Sequence, residues 1–243
     1  CVRLGFRGRT QITESCFLPP DFHLVVLTMS EDAAIYDLRR DYDREPLLES
    51  DLDPDPVKQF RMWFEDARAS GIPEPNAMTL GTADRSGKVS CRTVLLKAYD
   101  DRGFVFFTNY GSRKARQIAE NPRASLLFPW VALARQAEIA GAVEKISAAE
   151  SLAYFMSRPF GSRLGAWVSD QSAVISSRQI LLAKYEELKH KFANGQVPKP
   201  EGWGGYRVVP ESMEFWQGGR DRLHDRFCYT KSGQGWTISR LAP

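Results

Sequence analysis

Ala77-Met-Thr-Leu-Gly-Thr-Ala83, Val89-Ser-Cys-Arg-Thr-Val-Leu-Leu-Lys-Ala98 and Phe104-Val-Phe-Phe-Thr-Asn-Tyr110 are joined by Asp84-Arg-Ser-Gly-Lys88 and Asp100-Asp-Arg-Gly103. The runs are rich in Val, Thr, Leu and Phe and the joints in Asp, Gly and Ser, which is how strands and tight turns are written in sequence. Together they predict an antiparallel meander. Downstream, residues 112–120 read as a helix stopped by Asn121-Pro122, and residues 124–130 and 136–146 return to strand character. Ser147 with Glu150 three residues on forms a capping box, opening a helix to about Ser157 before Pro159. A second helix is expected near residues 164–168, and residues 176–193 place Ile180, Leu181, Leu188 and Phe192 on one stripe. Residues 205–209, 212–216, 226–231 and 236–240 supply further strands. Upstream, Asp55-Pro56 opens a helix through Phe60, Trp63, Phe64 and Ala67, and Ile35, Leu38 and Tyr42 suggest a short helix from Ser30. Strands first, helices inserted and strands last give an α+β barrel.

Composition narrows the function. Of 243 residues 43% are hydrophobic and 12% aromatic, enough for a packed core and too many for a disordered chain. Thirty-three Lys and Arg against thirty Asp and Glu leave +3, too weak a balance for a nucleic-acid coat or a polybasic membrane anchor, so any anion must be met by a local pocket. The cysteines at 1, 16, 91 and 228 have no metal-site or redox spacing, and His23, His190 and His224 cannot assemble a zinc site locally, so no metal is expected. Reduced thiols in the cytoplasm fit such a chain, with Cys91 and Cys228 as small buried apolar groups. The most apolar run, residues 126–134, is broken by Pro129, and no membrane association is expected. Residues 1–28, preceding Met29 and interrupted by Pro19, Pro20 and Asp21, read as a disordered extension, with 29–243 as a single domain.

Familiar nucleotide and hydrolase motifs fail. Gly81 to Lys88 is one residue too long for a P-loop and Val89 stands where Ser or Thr would bind magnesium, and neither G-x-G-x-x-G nor G-x-S-x-G occurs. Cations instead gather at strand ends and helix starts. Arg92 and Lys97 bracket the apolar run Thr93, Val94, Leu95 and Leu96, and on a regular strand they would point to opposite faces. Thr108-Asn109 runs into Gly111-Ser-Arg-Lys114, bringing a hydroxyl, Arg113, Lys114 and a helix N-terminus together as a phosphate site would. Tyr154, Arg158 and Ser162 lie four apart, the first two on one helix face, as a second phosphate site would have them. Arg222, His224 and Arg226 alternate along an expected strand behind Trp216 and a Gly-Gly turn, an expensive choice for a plain barrel strand.

From about residue 38 to 243 the chain carries Arg92-Thr-Val-Leu-Leu-Lys97, Phe107-Thr-Asn-Tyr-Gly-Ser-Arg-Lys114, Arg135-Gln136, Ser157-Arg-Pro159, Gln171-Ser172, Trp203-Gly-Gly, residues 214–226 and a terminal Arg240-Leu-Ala-Pro. In these it resembles the FMN-dependent pyridoxine (pyridoxamine) 5′-phosphate oxidases. The resemblance implies an FMN-binding split β-barrel with peripheral helices, a homodimer through a C-terminal dimerisation segment, and FMN at the interface. It assigns FMN to Arg92, Thr93, Val94, Leu95, Leu96, Lys97, Phe107, Thr108, Arg113, Lys114, Gln136, Gln171, Ser172, Trp216 and Arg226. The substrate phosphate falls to Lys97, Tyr154, Arg158 and Ser162, the pyridine ring and catalysis to Arg222 and His224, and a mobile segment closing over the substrate to Arg39 and Tyr42. It implies that C4′ of pyridoxine or pyridoxamine 5′-phosphate gives a hydride to the flavin, which passes two electrons to O2, yielding pyridoxal 5′-phosphate and H2O2. Arg163 stands where the family pattern has Gln, and Met156 where His is common.

The rivals are a flavin barrel with another substrate, a vitamer carrier that consumes no oxygen, and a nucleic-acid module. The Arg222 and His224 pair with the Tyr154, Arg158 and Ser162 set disfavours the first, and the weak net charge the last.

Overall fold

β1 (Ala77–Ala83) and β2 (Val89–Leu95) pair antiparallel from Ala77↔Leu95 to Ala83↔Val89 across the Asp84 to Lys88 turn. The computed structural model describes Leu38 and residues 41–243, so residues 1–28, Arg39 and most of the helix expected from Ser30 lie outside the described residues, and Tyr42 stands in non-helical chain. β3 (Ala98–Asp100), β4 (Gly103–Asn109), β5 (Arg123–Trp130), β6 (Arg135–Lys145), β7 (Trp203–Gln217), β8 (Asp225–Ser232) and β9 (Gly235–Leu241) complete one antiparallel sheet. Its order is β2-β1-β5-β6-β7-β4-β3, with β8 on β7 and β9 on β8.

Both expected hairpins form, across residues 84–88 and 101–102, but they do not join into one meander. After β2 the Leu96 N–H donates to Asn76 O at 2.9 Å and the Lys97 N–H to Val105 O at 2.9 Å. The chain thus leaves β1 and carries the β3–β4 hairpin to the far end of the sheet, beside β7. Curling returns β4 opposite β2. This kink also overturns the opposite-face expectation for Arg92 and Lys97: Lys97 lies beyond the strand, and both line one cleft.

β7 is one strand of 15 residues where the sequence predicted two. Its first half pairs with β4 and its second with β8, while β6 follows it on the other edge. Pro210 has no N–H to give the ladder, and a register shift at Ala140/Gly141 absorbs it. Gly141 is required there, because a Cβ would sit 1.9 Å from Val209 O.

α1 (Pro56–Ala69) begins with Asp55 accepting the Val57 N–H at 2.9 Å and Pro56 at the first helical position. It buries Phe60, Trp63 and Ala67, at spacings of three and four, against the sheet. Phe60 meets Phe104 and Phe128 edge-on at 4.8 and 4.9 Å. Alternation along β1 and β5 sends Met78, Leu80, Leu126 and Phe128 into the same core. α3 (Ala148–Ser157), α4 (Phe160–Val168) and α5 (Arg178–Lys191) build a second core around Phe155, Leu164, Leu188 and Trp203. The capping box at Ser147 and Glu150 is formed. Among the described residues no helix is long and apolar enough to cross a membrane.

Candidate active site

A cleft of about 660 Å³ opens between β2, β4, α2 (Arg113–Glu120) and the α3–α4 corner. Among the described residues it is lined by Arg92, Lys97, Arg113, Lys114 and Arg158, five cations, and by no carboxylate. That imbalance costs free energy in an empty protein and is the electrostatic form of an anion site.

One group of cations stands at the start of α2. Ser112 caps the helix, and the Arg113 N–H donates to Ser172 Oγ at 3.2 Å. Lys114 is 8% exposed, and among the described residues its Nζ donates only to Thr108 Oγ1 (3.2 Å) and Gln171 Oε1 (3.1 Å). Burial lowers the Lys114 pKa, and the neighbouring Arg92 charge lowers it further. Arg92 Nη1 donates to Leu80 O at 3.0 Å and Thr82 Oγ1 at 2.7 Å, again neutral acceptors, and burial lowers its pKa too.

The second group lies across the cleft. Phe107 stacks on Tyr154 with centroids 3.9 Å apart and on Trp203 at 5.3 Å. The Arg158 guanidinium sits 4.9 Å over the Trp203 ring, with Nη1 buried and unpartnered among the described residues. Burial lowers its pKa. Tyr154 and Arg158 do converge, although Arg158 is the extended cap of α3 rather than part of its face. Ser162 does not join them: Pro159 ends the helical register, and Ser162 is exposed on α4, off the cleft. Leu96 also turns away, 5% exposed in the core. Thr93, Val94, Leu95, Phe107, Thr108, Gln171 and Ser172 line the cleft as a set. Cys91 lines it as well and is exposed, and Cys228 is half-buried, contrary to the expectation of two buried thiols. Val89, Cys91 and Thr93 share the outer face of β2, which nothing in the described chain covers.

The remaining candidates gather at the other end of β7. Gln136 pairs with Trp216, and Trp216 with Arg226. Trp216 and His224 ring centroids are 4.8 Å apart, and Tyr42 meets each at 5.7 Å. Gly218 seats the Tyr42 ring, where a Cβ would lie 2.5 Å from Tyr42 Cγ. The Gly219 N–H donates to His224 Nδ1 at 3.1 Å, which assigns the imidazole proton to Nε2. The expected one-face alternation of Arg222, His224 and Arg226 fails. Residues 220–222 form a tight turn with Asp221 and Arg222 at φ 53° and 66°, and β8 begins only at Asp225. Arg222 is exposed, its guanidinium with no hydrogen bond or ion pair among the described residues, whereas Arg226 is held by Glu214 at 2.9 and 3.1 Å.

Residues 43–49 strap this end of the sheet. Leu47 N–H donates to Asp225 Oδ2 at 2.9 Å, Gln217 Nε2 to Glu45 O at 2.9 Å, and Arg240 Nε to Glu49 Oε1 at 2.7 Å. The Arg240 hydrogen bond holds the Glu49 carboxyl down to about 2. Trp203 was missed as a site residue, although Trp203-Gly-Gly, a large ring followed by two residues without side chains, marks a place where something packs closely.

Solved structures share this architecture. PhzG from Burkholderia lata 383, solved with tetrahydrophenazine-1-carboxylic acid, superposes with a TM-score of 0.76 at 32% identity, covering 81% of this chain and 98% of that one. A pyridoxamine 5′-phosphate oxidase-related, FMN-binding protein from Nostoc punctiforme PCC 73102 gives 0.62 at 15% identity, covering 77% and 97%, which speaks to the fold alone. The sheet is therefore that of the split-barrel fold. Residues 64–192 match the family model described as pyridoxamine 5′-phosphate oxidase, and residues 203–243 the one described as the pyridoxine 5′-phosphate oxidase C-terminal dimerisation region. Pyridoxine/pyridoxamine 5′-phosphate oxidases from Prochlorococcus marinus (strain MIT 9303) and Aliarcobacter butzleri (strain RM4018) are 58% and 56% identical over 88% and 85% of this chain, and 98% of each relative is covered. The chain belongs to the pyridoxamine 5′-phosphate oxidase family.

Proposed function

We propose that the chain oxidises pyridoxine 5′-phosphate and pyridoxamine 5′-phosphate to pyridoxal 5′-phosphate, using FMN and O2 and releasing H2O2, as a cytoplasmic homodimer with FMN at the interface. The observation that carries this reading is the cleft with five cations and no carboxylate, since it has charge for two phosphates and pays for their absence with desolvated cations. FMN fits the first group: Lys114, Arg113 and Arg92 with the α2 N-terminus suit its phosphate, and β2 and Phe107 suit its ring. The substrate phosphate fits Arg158, Lys97 and Tyr154.

Bound flavin supplies the two-electron chemistry, accepting hydride from the substrate carbon and passing electrons to O2. The chain's task is to hold the substrate ring over the flavin and to exclude water. Arg222 supplies a positioning guanidinium, and His224 presents Nε2 because its Nδ1 is occupied by Gly219. These two belong to the far end of β7. From Trp203 to Trp216 an extended strand covers on the order of 40 Å, so the second cluster is best supplied to the cleft by a second copy. The family's dimerisation region contains that cluster.

The test is the visible spectrum of the purified protein, followed in the same cuvette by pyridoxine 5′-phosphate without and then with air. The expected result is a flavin band that bleaches anaerobically and returns with oxygen while the pyridoxal product appears. A flavin that stays oxidised would move the substrate elsewhere, and a protein that neither holds nor takes up FMN would overturn the reading.

A further inference from the structure

Arg158 is an unusual cation. It caps α3 with an extended backbone (φ −74°, ψ 146°), so helical geometry does not fix its side chain. Among the described residues no carboxylate lines its cleft, it forms no ion pair, and its Nη1 is buried without a partner. What the guanidinium does touch is aromatic: the Trp203 ring at 4.9 Å and the Phe155 ring at 5.8 Å. Trp203 is itself immobilised. It is 6% exposed, stacked on Phe107 at 5.3 Å and 12°, edge-on to Phe155 at 5.2 Å, and its carbonyl accepts from Lys199 Nζ at 3.0 Å.

We infer that Trp203 is a positioning residue for Arg158, holding the guanidinium on its indole face so that an unpaired N–H points at the incoming phosphate, and thereby setting the site's affinity for phosphorylated substrate. The inference rests on the reading of Arg158 as a substrate-phosphate ligand. A π face is the right support for this task. It attracts a cation through the ring quadrupole without neutralising it, whereas a carboxylate in the same place would compete with the phosphate for the same N–H groups. Indole is the strongest of the aromatic faces, so the choice of Trp over Phe has a measurable consequence.

The experiment compares Trp203→Phe, Trp203→Leu and Arg158→Ala in the flavin-loaded protein, reading kcat, KM for pyridoxine 5′-phosphate, the inhibition constant of inorganic phosphate, and flavin content. KM and the phosphate inhibition constant are expected to rise together, roughly threefold for Trp203→Phe and roughly tenfold for Trp203→Leu. Saturated kcat and flavin content should stay within about twofold, the pattern of lost uniform binding. Added to Arg158→Ala, Trp203→Phe should produce no further rise, because its action runs through the guanidinium. Should Trp203→Leu fail to fold, the Phe variant and this double-mutant cycle carry the test. A fall in kcat with both constants unmoved, or an undiminished effect of Trp203→Phe in the Arg158→Ala background, would overturn the inference. If Arg158→Ala itself moves neither constant, the assignment of Arg158 to the phosphate fails first, and the two failures are thus distinguishable.

Discussion

Replacing Lys114 by Met should make the flavin-free protein more stable and the flavin-loaded one harder to form. Lys114 Nζ is nearly buried, has no carboxylate beside it in the cleft, and lies near Arg92, whose charge together with burial lowers its pKa. Burying an ion costs several kcal/mol even after relaxation. Its two hydrogen bonds, to Thr108 Oγ1 and Gln171 Oε1, return about 1.5 kcal/mol each, which leaves a net cost of about 1–2 kcal/mol. Removing the ammonium strands neither acceptor, because Thr108 Oγ1 already donates to Gln171 Oε1 at 3.0 Å. Met fills nearly the same volume. For a chain of this size each kcal/mol is about 2–4 °C in Tm. Lys114→Met should therefore raise the apoprotein Tm by roughly 3–6 °C. On the proposed assignment of Lys114 to the flavin phosphate, the same change should remove a charge-assisted contact worth about 2 kcal/mol, a loss of roughly 30-fold in affinity. Thermal denaturation of apoprotein and quenching of FMN fluorescence read the two quantities. An apoprotein less stable than the parent would mean that the ammonium is compensated and structural, and an unchanged FMN affinity would remove the phosphate from this corner of the cleft.

Three further outcomes follow from particular residues. Arg222→Ala should lower turnover by at least roughly 100-fold while FMN affinity moves less than about threefold, since its guanidinium has no structural partner; equal losses in both would refute the division of roles. Gly141→Ala places a Cβ 1.9 Å from Val209 O at the bulge opposite Pro210 and should cost about 2–4 kcal/mol in denaturant unfolding, and a cost under about 1 kcal/mol would mean the bulge yields freely. The Glu49 carboxyl is held from 4.5 down to about 2 by Arg240, so its strap contact stabilises the fold above pH 4.5 and is lost as pH falls through about 2. The Tm difference between the parent and Glu49→Gln should accordingly be constant above that range and vanish towards pH 2; a difference that grows on acidification has the wrong sign.

What the sequence made legible was local. Asp55-Pro56, Ser112 and the Ser147 and Glu150 box mark helix starts by side chains that satisfy nearby N–H groups, so α1, α2 and α3 begin where those residues predict. β1 was legible from its strand-favouring run and the turn residues that follow it. What stayed hidden was set by distant chain. Nothing near Leu96 announces that β3 and β4 will cross to β7, because that order is decided by which strands cover the core. Pro210 read as a strand end because the glycine that accommodates it, Gly141, lies 69 positions earlier. The spacing of four that links Arg158 to Ser162 carries no shared helix face, because Pro159 resets the helix between them. Arg222 and His224 misled, an alternation read across a turn whose left-handed residues break it.

The same distances bear on assembly. Arg226 is fixed by Glu214 and by Ala242 O, which uses three of its five N–H donors and leaves two to meet a ligand. Arg222 keeps all five, and His224 keeps Nε2. This end of β7 therefore keeps unused donors, while the cleft at the other end gathers cations and includes neither Arg222 nor His224. A single chain cannot close a gap on the order of 40 Å along one rigid strand, whereas the proposed homodimer, apposing opposite ends of β7, would complete two sites at once. The consequence is concentration dependence. Turnover per chain should fall together with the dimer fraction as the protein is diluted, read by activity and by light scattering or sedimentation on the same samples. Full activity persisting in monomer would show that one chain suffices and would detach Arg222 and His224 from the chemistry of the cleft.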